Sequence, residues 1–245
     1  MDKKELKKYY KTQLIKLKKY NKLYFEKSKP EVTDAEYDKL KKEILSLEKK
    51  YNFLKSEKSV SEIVGHKPSK NFKKVTHKVP MLSLSNAFSR DDLINFEKKI
   101  INFLSAERNF KIFYSAEPKI DGISASLTYV NGIFTSGLSR GDGNEGEDIT
   151  ENLKTIKDIP KKITSKNFPK EIDIRGEVFI KNSDFKNLSQ KFANPRNAAS
   201  GSLRQKNPAD TKKIPLNFIA YTFGFERGLS INNQSVYLKE LDRWG

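Results

Sequence analysis

The period of the apolar residues changes near residue 111, from about 3.6 to 2, and this change most restricts the folds open to the chain. Upstream, Leu6, Tyr10, Leu14, Leu17 and Tyr24 recur near helical spacing, so a helix is expected over residues 2 to about 27. Ser28-Lys29-Pro30 stops it. Thr33-Asp34-Ala35-Glu36 is a capping box, and the helix it opens carries Tyr37, Leu40, Ile44, Leu47 and Tyr51. Residues 52–78 are mostly polar and read as a connection with little regular structure. Val79–Asn86 is a short extended stretch. Ser89 and Asp92 cap a further helix to about Ser105, expected to be buried through Leu93, Phe96, Ile100 and Phe103.

From residue 111 the pattern is that of strands. Ile112–Lys119 is expected to be one, and Ile123–Val130 alternates apolar and polar residues. Asn131-Gly132 is a strong hairpin signal, with return through Ile133–Arg140. Glu171–Ile180 places Ile172, Ile174, Val178 and Ile180 on one face and Asp173, Arg175, Glu177 and Phe179 on the other. Asn194-Pro195 opens a small-residue helix, Arg196–Arg204, and Leu216–Phe225 is a last strand before a tail ending at Gly245. These elements give an α+β chain: a helical hairpin, then an antiparallel sheet with one core face and one polar face.

Within the second part lies Glu117-Pro118-Lys119-Ile120-Asp121-Gly122. In a strand, Glu117, Lys119 and Asp121 share a face, which sets one amine between two carboxylates. A lysine nucleophile needs such a special setting, because its free amine is scarce at neutral pH with a reference pKa of about 10.4. Taken alone, the same residues also describe a solvated strand of alternating charge, and Glu177 a solvated strand residue.

Composition narrows the setting. Without Cys, the chain has no disulfide, thiol chemistry or cysteine zinc site. No apolar run reaches membrane-spanning length and no signal-type segment opens the chain, so a cytoplasmic location is expected. The formal charge of +17 suits a polyanionic partner, but most of it is scattered Lys, the pattern of a solvated surface. The few arginines are more selective: Arg140, Arg175, Arg196 and Arg204 lie beside the unusual motifs, and Arg suits bidentate phosphate contacts. The two histidines, His66 and His77, read as surface residues in the connection.

Gly141-Asp-Gly-Asn-Glu-Gly146 has the spacing of a dinucleotide fingerprint, yet it follows a hairpin strand and is flanked by Asp142, Glu145, Glu147 and Asp148. It also lacks the glycine and ligand positions of a calcium loop. A structural turn with Arg140 at its edge is the better account.

Asp34-Ala-Glu-Tyr-Asp38, Met81-Leu-Ser-Leu84, Glu117–Gly122, Ser139-Arg-Gly-Asp-Gly143, Gly146-Glu-Asp-Ile-Thr150, Arg175-Gly-Glu-Val-Phe179, Phe192-Ala-Asn-Pro-Arg-Asn197 and Gly201-Ser-Leu-Arg-Gln205 occur in one order. Together, from about residue 10 to the last residue, they resemble the N-terminal part of bacterial NAD-dependent DNA ligases. The resemblance implies a helical domain over residues 1–66 that binds the nicotinamide mononucleotide (NMN) half of NAD. It implies an ATP-grasp-like nucleotidyltransferase (adenylation) domain over residues 67–245, incomplete at its C-terminus. Lys119 resembles the nucleophile that takes AMP from NAD. Ser83, Leu84 and Glu117 match adenosine contacts, and Arg140 and Glu177 match ribose and phosphate contacts. Tyr24, Asp34, Ala35, Glu36, Tyr37 and Asp38 match the NMN site, and Arg196 and Arg204 match phosphate- or DNA-handling arginines.

The family further implies Mg²⁺, nicked duplex DNA as the partner of the full-length protein, roles in DNA replication and repair, and a monomer. Phe25 departs from the His or Tyr common in relatives. The closing lysine motifs, the OB-fold and the zinc module of the family are not found in the chain, so a fragment unable to seal nicks alone is expected. Two other readings stay open at this stage: an ATP-dependent ligase or capping-type enzyme, and a noncatalytic module that binds NAD or nucleic acid.

Overall fold

Asp2 begins the first helix, accepting from the Lys4 and Glu5 amides while Glu5 reaches back to the Asp2 N–H. In this computed structural model the described residues are 2–23, 31–54, 72–84, 86–107, 110–188, 192, 194–231 and 233–245. Helix α1 (Lys3–Asn21) forms where the sequence suggests, and the chain stays helical through Leu23; Tyr24, Phe25 and the remainder of the expected helix to residue 27 lie outside the described residues, as does His66. Helix α2 (Asp34–Lys50) starts at the expected capping box, with Thr33 and Glu36 satisfying each other's backbone N–H groups. The two stripes meet in a small core of Leu6, Tyr10, Leu17, Ile44 and Leu54. The buried Tyr10 hydroxyl donates to Glu48 at 2.6 Å, as a buried polar group must find a partner.

The second part begins with β1 (Lys74–Thr76), followed by α3 (Arg90–Phe103), β2 (Ile123–Val130), β3 (Ile133–Ser139) and β4 (Glu145–Glu147). After α4 (Thr150–Leu153) come β5 (Glu171–Phe179), α5 (Asn182–Phe185), α6 (Pro195–Leu203), α7 (Pro208–Thr211), β6 (Asn217–Arg227) and α8 (Gln234–Trp244). The main sheet has the order β3-β2-β5-β6 with every pair antiparallel, and β1 pairs with β4 in a separate ribbon. Asn131 and Gly132 both have positive φ, the two-residue turn that their sequence announces. Leu127, Tyr129, Ile172, Ile174 and Val178 form the core with α4, α6 and α8, where Trp244 meets Phe168 edge to face at 4.8 Å.

Several expectations are corrected. Residues 112–119 form no strand, and Phe113 is 92 % exposed: β2 and β5 are each already paired on both sides, and no strand of the described residues lies against this segment. Helix α3 is capped by Ser89 and Asp92 as expected but buries none of its residues, Phe103 being 89 % exposed. Capping sets where a helix starts, and burial needs a neighbour. The connection over 52–78 is as sparse as expected where it is described, holding a 3₁₀ turn (Asn52–Leu54) and β1. His77 is buried rather than on the surface. The polar face of β5 is covered, so Asp173 and Arg175 are buried too. The tail is the helix α8, opened by Asn233 accepting from the Val236 amide.

Candidate functional site

Gly122 brings the lysine segment against β5. A Cβ there would lie 2.2 Å from the Val178 carbonyl oxygen and 2.9 Å from Glu177 Cγ, so only glycine permits the approach. Directly after it, Ser124 pairs with Glu177 across the β2–β5 ladder, and its hydroxyl donates to the Glu177 carboxylate at 2.9 Å. Burial pushes the Glu177 carboxyl up; the Ser124 hydroxyl and the positive charges of Arg196, Lys119 and Arg140 oppose that shift. Four of the expected site residues thus share one electrostatic neighbourhood: Lys119, Glu177, Arg140 and Arg196.

Because no ladder holds the lysine segment, side chains from distant helices do. Arg196, on α6, donates to Asp121 at 2.8 Å. Glu117 accepts from Ser115 at 2.9 Å and from the Gln234 amide of α8 at 3.0 Å. The same amide donates to the Tyr221 carbonyl at 2.7 Å, which ties the segment to β6. The carboxylates on either side of Lys119 in the sequence are thus each anchored to a distant helix, but the strand that would set all three side chains on one face is not formed.

A second segment, His77–Leu84, crosses the sheet as a strap. Its backbone is held to the turn after β3: His77 N–H donates to Asn144 O and Met81 N–H to Gly143 O, both at 2.8 Å. His77 Nε2–H donates to the Arg140 carbonyl at 3.2 Å, and burial pushes the imidazole pKa down. The glycines of the Gly141–Gly146 motif serve this turn, Gly141 and Gly143 having positive φ. The strap ends in the exposed Ser83 and Leu84. Just beyond, the Asn86 amide donates to Asp38 of α2, and Lys42 lies 5.5 Å from the Phe88 ring centre.

The remaining expected residues fall as follows. Asp34 and Ala35 open α2; Glu36 is engaged in the cap; the Tyr37 hydroxyl donates to Asn21 at 2.7 Å. Arg204 pairs through Nε with Glu147, a carboxylate only 1 % exposed, at 2.9 Å. Sequence reasoning missed Ser124, Gln234, Tyr221 and Glu147. Ser124 could have been found from alternation, as it faces the strand that carries Glu177; Gln234 could not, as nothing local links it to Glu117. Among the described residues no group of three or more His, Cys, Asp or Glu side chains could hold a metal ion, and no helix is long and apolar enough to cross a membrane.

A hairpin of capped helices ahead of an antiparallel sheet with an anchored lysine defines a class, and the comparisons with known proteins specify it. Residues 69–245 match the model of the NAD-dependent DNA ligase adenylation domain, and residues 3–65 that of the DNA ligase-like N-terminal NAD⁺-binding domain. The chain is 64 % identical over 245 residues to a DNA ligase of Pelagibacter ubique, which covers all of this chain and 36 % of that protein. A Parvibaculum lavamentivorans DNA ligase is 45 % identical over 94 % of this chain and 33 % of its own length; one from Rickettsia bellii is 45 % identical over 94 % and 34 %. The chain belongs to the NAD-dependent DNA ligase family. It spans about a third of the length of these curated relatives.

Proposed function

We propose that this chain is the NAD-reading and lysine-adenylating portion of such a ligase, with residues 1–66 taking the NMN half of NAD and residues 67–245 transferring AMP. The observation that carries the reading is that Lys119, Arg140 and Arg196 all act on the buried Glu177, while Glu117 and Asp121, which flank Lys119 in the sequence, are each tied to a distant helix. The Lys119 amine attacks the adenylyl phosphorus of NAD; a P–N bond forms, the pyrophosphate P–O bond breaks, NMN leaves, and the amine sheds a proton. Arg140 and Arg196 supply charge where the phosphate becomes more negative. Glu117 and the strap residues Ser83 and Leu84 are the proposed adenosine contacts. Asp38, joined to the strap through Asn86, is the proposed link to the NMN half, with Tyr24, Asp34, Ala35, Glu36 and Tyr37.

Among the described residues no cluster could cage a metal ion, so Mg²⁺ would be held mainly by the substrate's own phosphates. When bound it offsets charge on the transferring phosphate. Nick sealing in duplex DNA is assigned to the longer protein, with Arg196 and Arg204 as phosphate contacts. Within the fold Arg196 pairs with Asp121 and Arg204 with Glu147. The match of residues 3–65 to an NAD⁺-binding domain favours NAD over ATP as the adenylate donor.

The test is intact mass after incubation with NAD and Mg²⁺, with Lys119→Ala in parallel. An AMP adduct in the parent and none in the variant is the expected result. NAD binding by a folded parent that forms no adduct would replace this reading with a noncatalytic NAD-binding one.

A further inference from the structure

Arg175 has no part in the chemistry above, yet it is 8 % exposed and its charge is held inside the fold. Burying a guanidinium is costly unless it is well bonded. Its NH1 donates to the Pro80 carbonyl at 3.1 Å and its NH2 donates to the Val79 carbonyl, reaching from the middle of β5 to the strap. Its own strand neighbour Asp173 supports the charge, while Nε has no hydrogen-bond partner among the described residues. The head group, not the stem, is therefore what the site uses, and both of its bonds go to one short piece of backbone.

Room for that head group is built into the adjacent strand. A Cβ at Gly224 of β6 would lie 2.5 Å from NH2 and 2.7 Å from Cζ of Arg175, and Gly224 has ordinary φ. A side chain at this position would push the guanidinium aside, whereas the backbone itself would accept one. On the strap's other side Met81 N–H is bonded to Gly143 O, and a Cβ at Gly143 would lie 2.9 Å from the Met81 carbonyl oxygen. Val79–Met81 is consequently gripped from two directions, by Arg175 beneath and by the Arg140–Asn144 turn beside it. Two residues beyond this grip the chain reaches the exposed Ser83 and Leu84.

We infer that Arg175 is a positioning residue: through the Val79 and Pro80 carbonyls it fixes the strap so that Ser83 and Leu84 are presented to the adenosine half of NAD. The inference rests on the adenylation reading above. It assigns Gly224 as the residue that admits the clamp.

Three variants test it: Arg175→Met, Arg175→Lys, and Gly224→Ala, which keeps the arginine but displaces its head group. Amide hydrogen exchange reads the strap without any reaction. Faster exchange at His77 and Met81 is expected in Arg175→Met and Gly224→Ala, with the β2–β5 ladder as protected as in the parent. The KM for NAD in lysine adenylation should rise about tenfold in both, the loss typical of charge-assisted hydrogen bonds, with kcat changed much less. Arg175→Lys, which keeps a charge but cannot fork to two carbonyls, should fall between. An unchanged strap overturns the clamp. A loosened strap with unchanged KM overturns the positioning role while leaving the clamp. A parent that neither binds NAD nor forms an adduct overturns the adenylation reading and the role toward adenosine, and the exchange data still decide whether the clamp exists.

Discussion

Residues 112–119 and 171–179 carry the same kind of signal and meet different fates. Both read as strands, and both include a carboxylate singled out as a candidate site residue, Glu117 and Glu177. The second becomes β5, paired along its length with β2 and β6. The first becomes an exposed segment outside any ladder, held by Gln234 at Glu117 and, just beyond it, by Arg196 at Asp121. Alternation says which side chains would share a face; it does not say that a neighbouring strand exists. The helices repeat the lesson. α2 and α3 are both opened by capping boxes, but α2 buries Ile44 against α1 while α3 buries nothing. Local chemistry sets starts and ends, and stability comes from what packs across.

The contrast can be broken most forcefully in the two strand-like regions. Leu127→Ala, in the sheet core, should cost about 2–5 kcal/mol of unfolding free energy by denaturant titration. Phe113→Ala, despite removing a larger side chain, should stay within about 0.5 kcal/mol of the parent. A comparable loss at Phe113 would show that the segment packs in solution as strands do.

The capped helices give a smaller difference. Thr33→Ala should lower the stability of the helical hairpin by about 1 kcal/mol, visible as an earlier melting step. Ser89→Ala should leave the melting curve unchanged and speed amide exchange in α3 alone, because that helix is coupled to no core.

The smallest effect concerns His77, whose folded pKa lies below its ordinary value of about 6.5. The unfolded chain then binds a proton before the folded one does. Its contribution to stability is whole above the unfolded value and is lost as pH falls through that value toward the folded one. Urea midpoints between pH 7 and pH 5 should decline in the parent, and His77→Gln should flatten the part of that decline due to this residue.

Much of the fold was legible: the hairpin helices, the Asn131-Gly132 turn, β2, β3, β5 and α6 follow from period, caps and turn residues. The rest depended on contacts between distant residues. Nothing near His77 tells that the Arg140 carbonyl will meet it, and Arg175 looks solvated until Val79 and Pro80 are laid over it. The site shows the same division. Lys119, Glu117, Glu177 and the arginines were visible as motifs; Ser124, which donates to Glu177, was readable only from alternation, and Gln234, which donates to Glu117, was not readable at all.

The anchoring of the lysine segment has a consequence in time. Glu117 waits for a partner 117 residues further along and Asp121 for one 75 residues further. A ribosome adding about 5–20 residues each second therefore releases Lys119 several seconds before either anchor is made. For that interval neither carboxylate beside the lysine has its distant partner, so the setting of that amine is assembled only after most of this stretch has been synthesised.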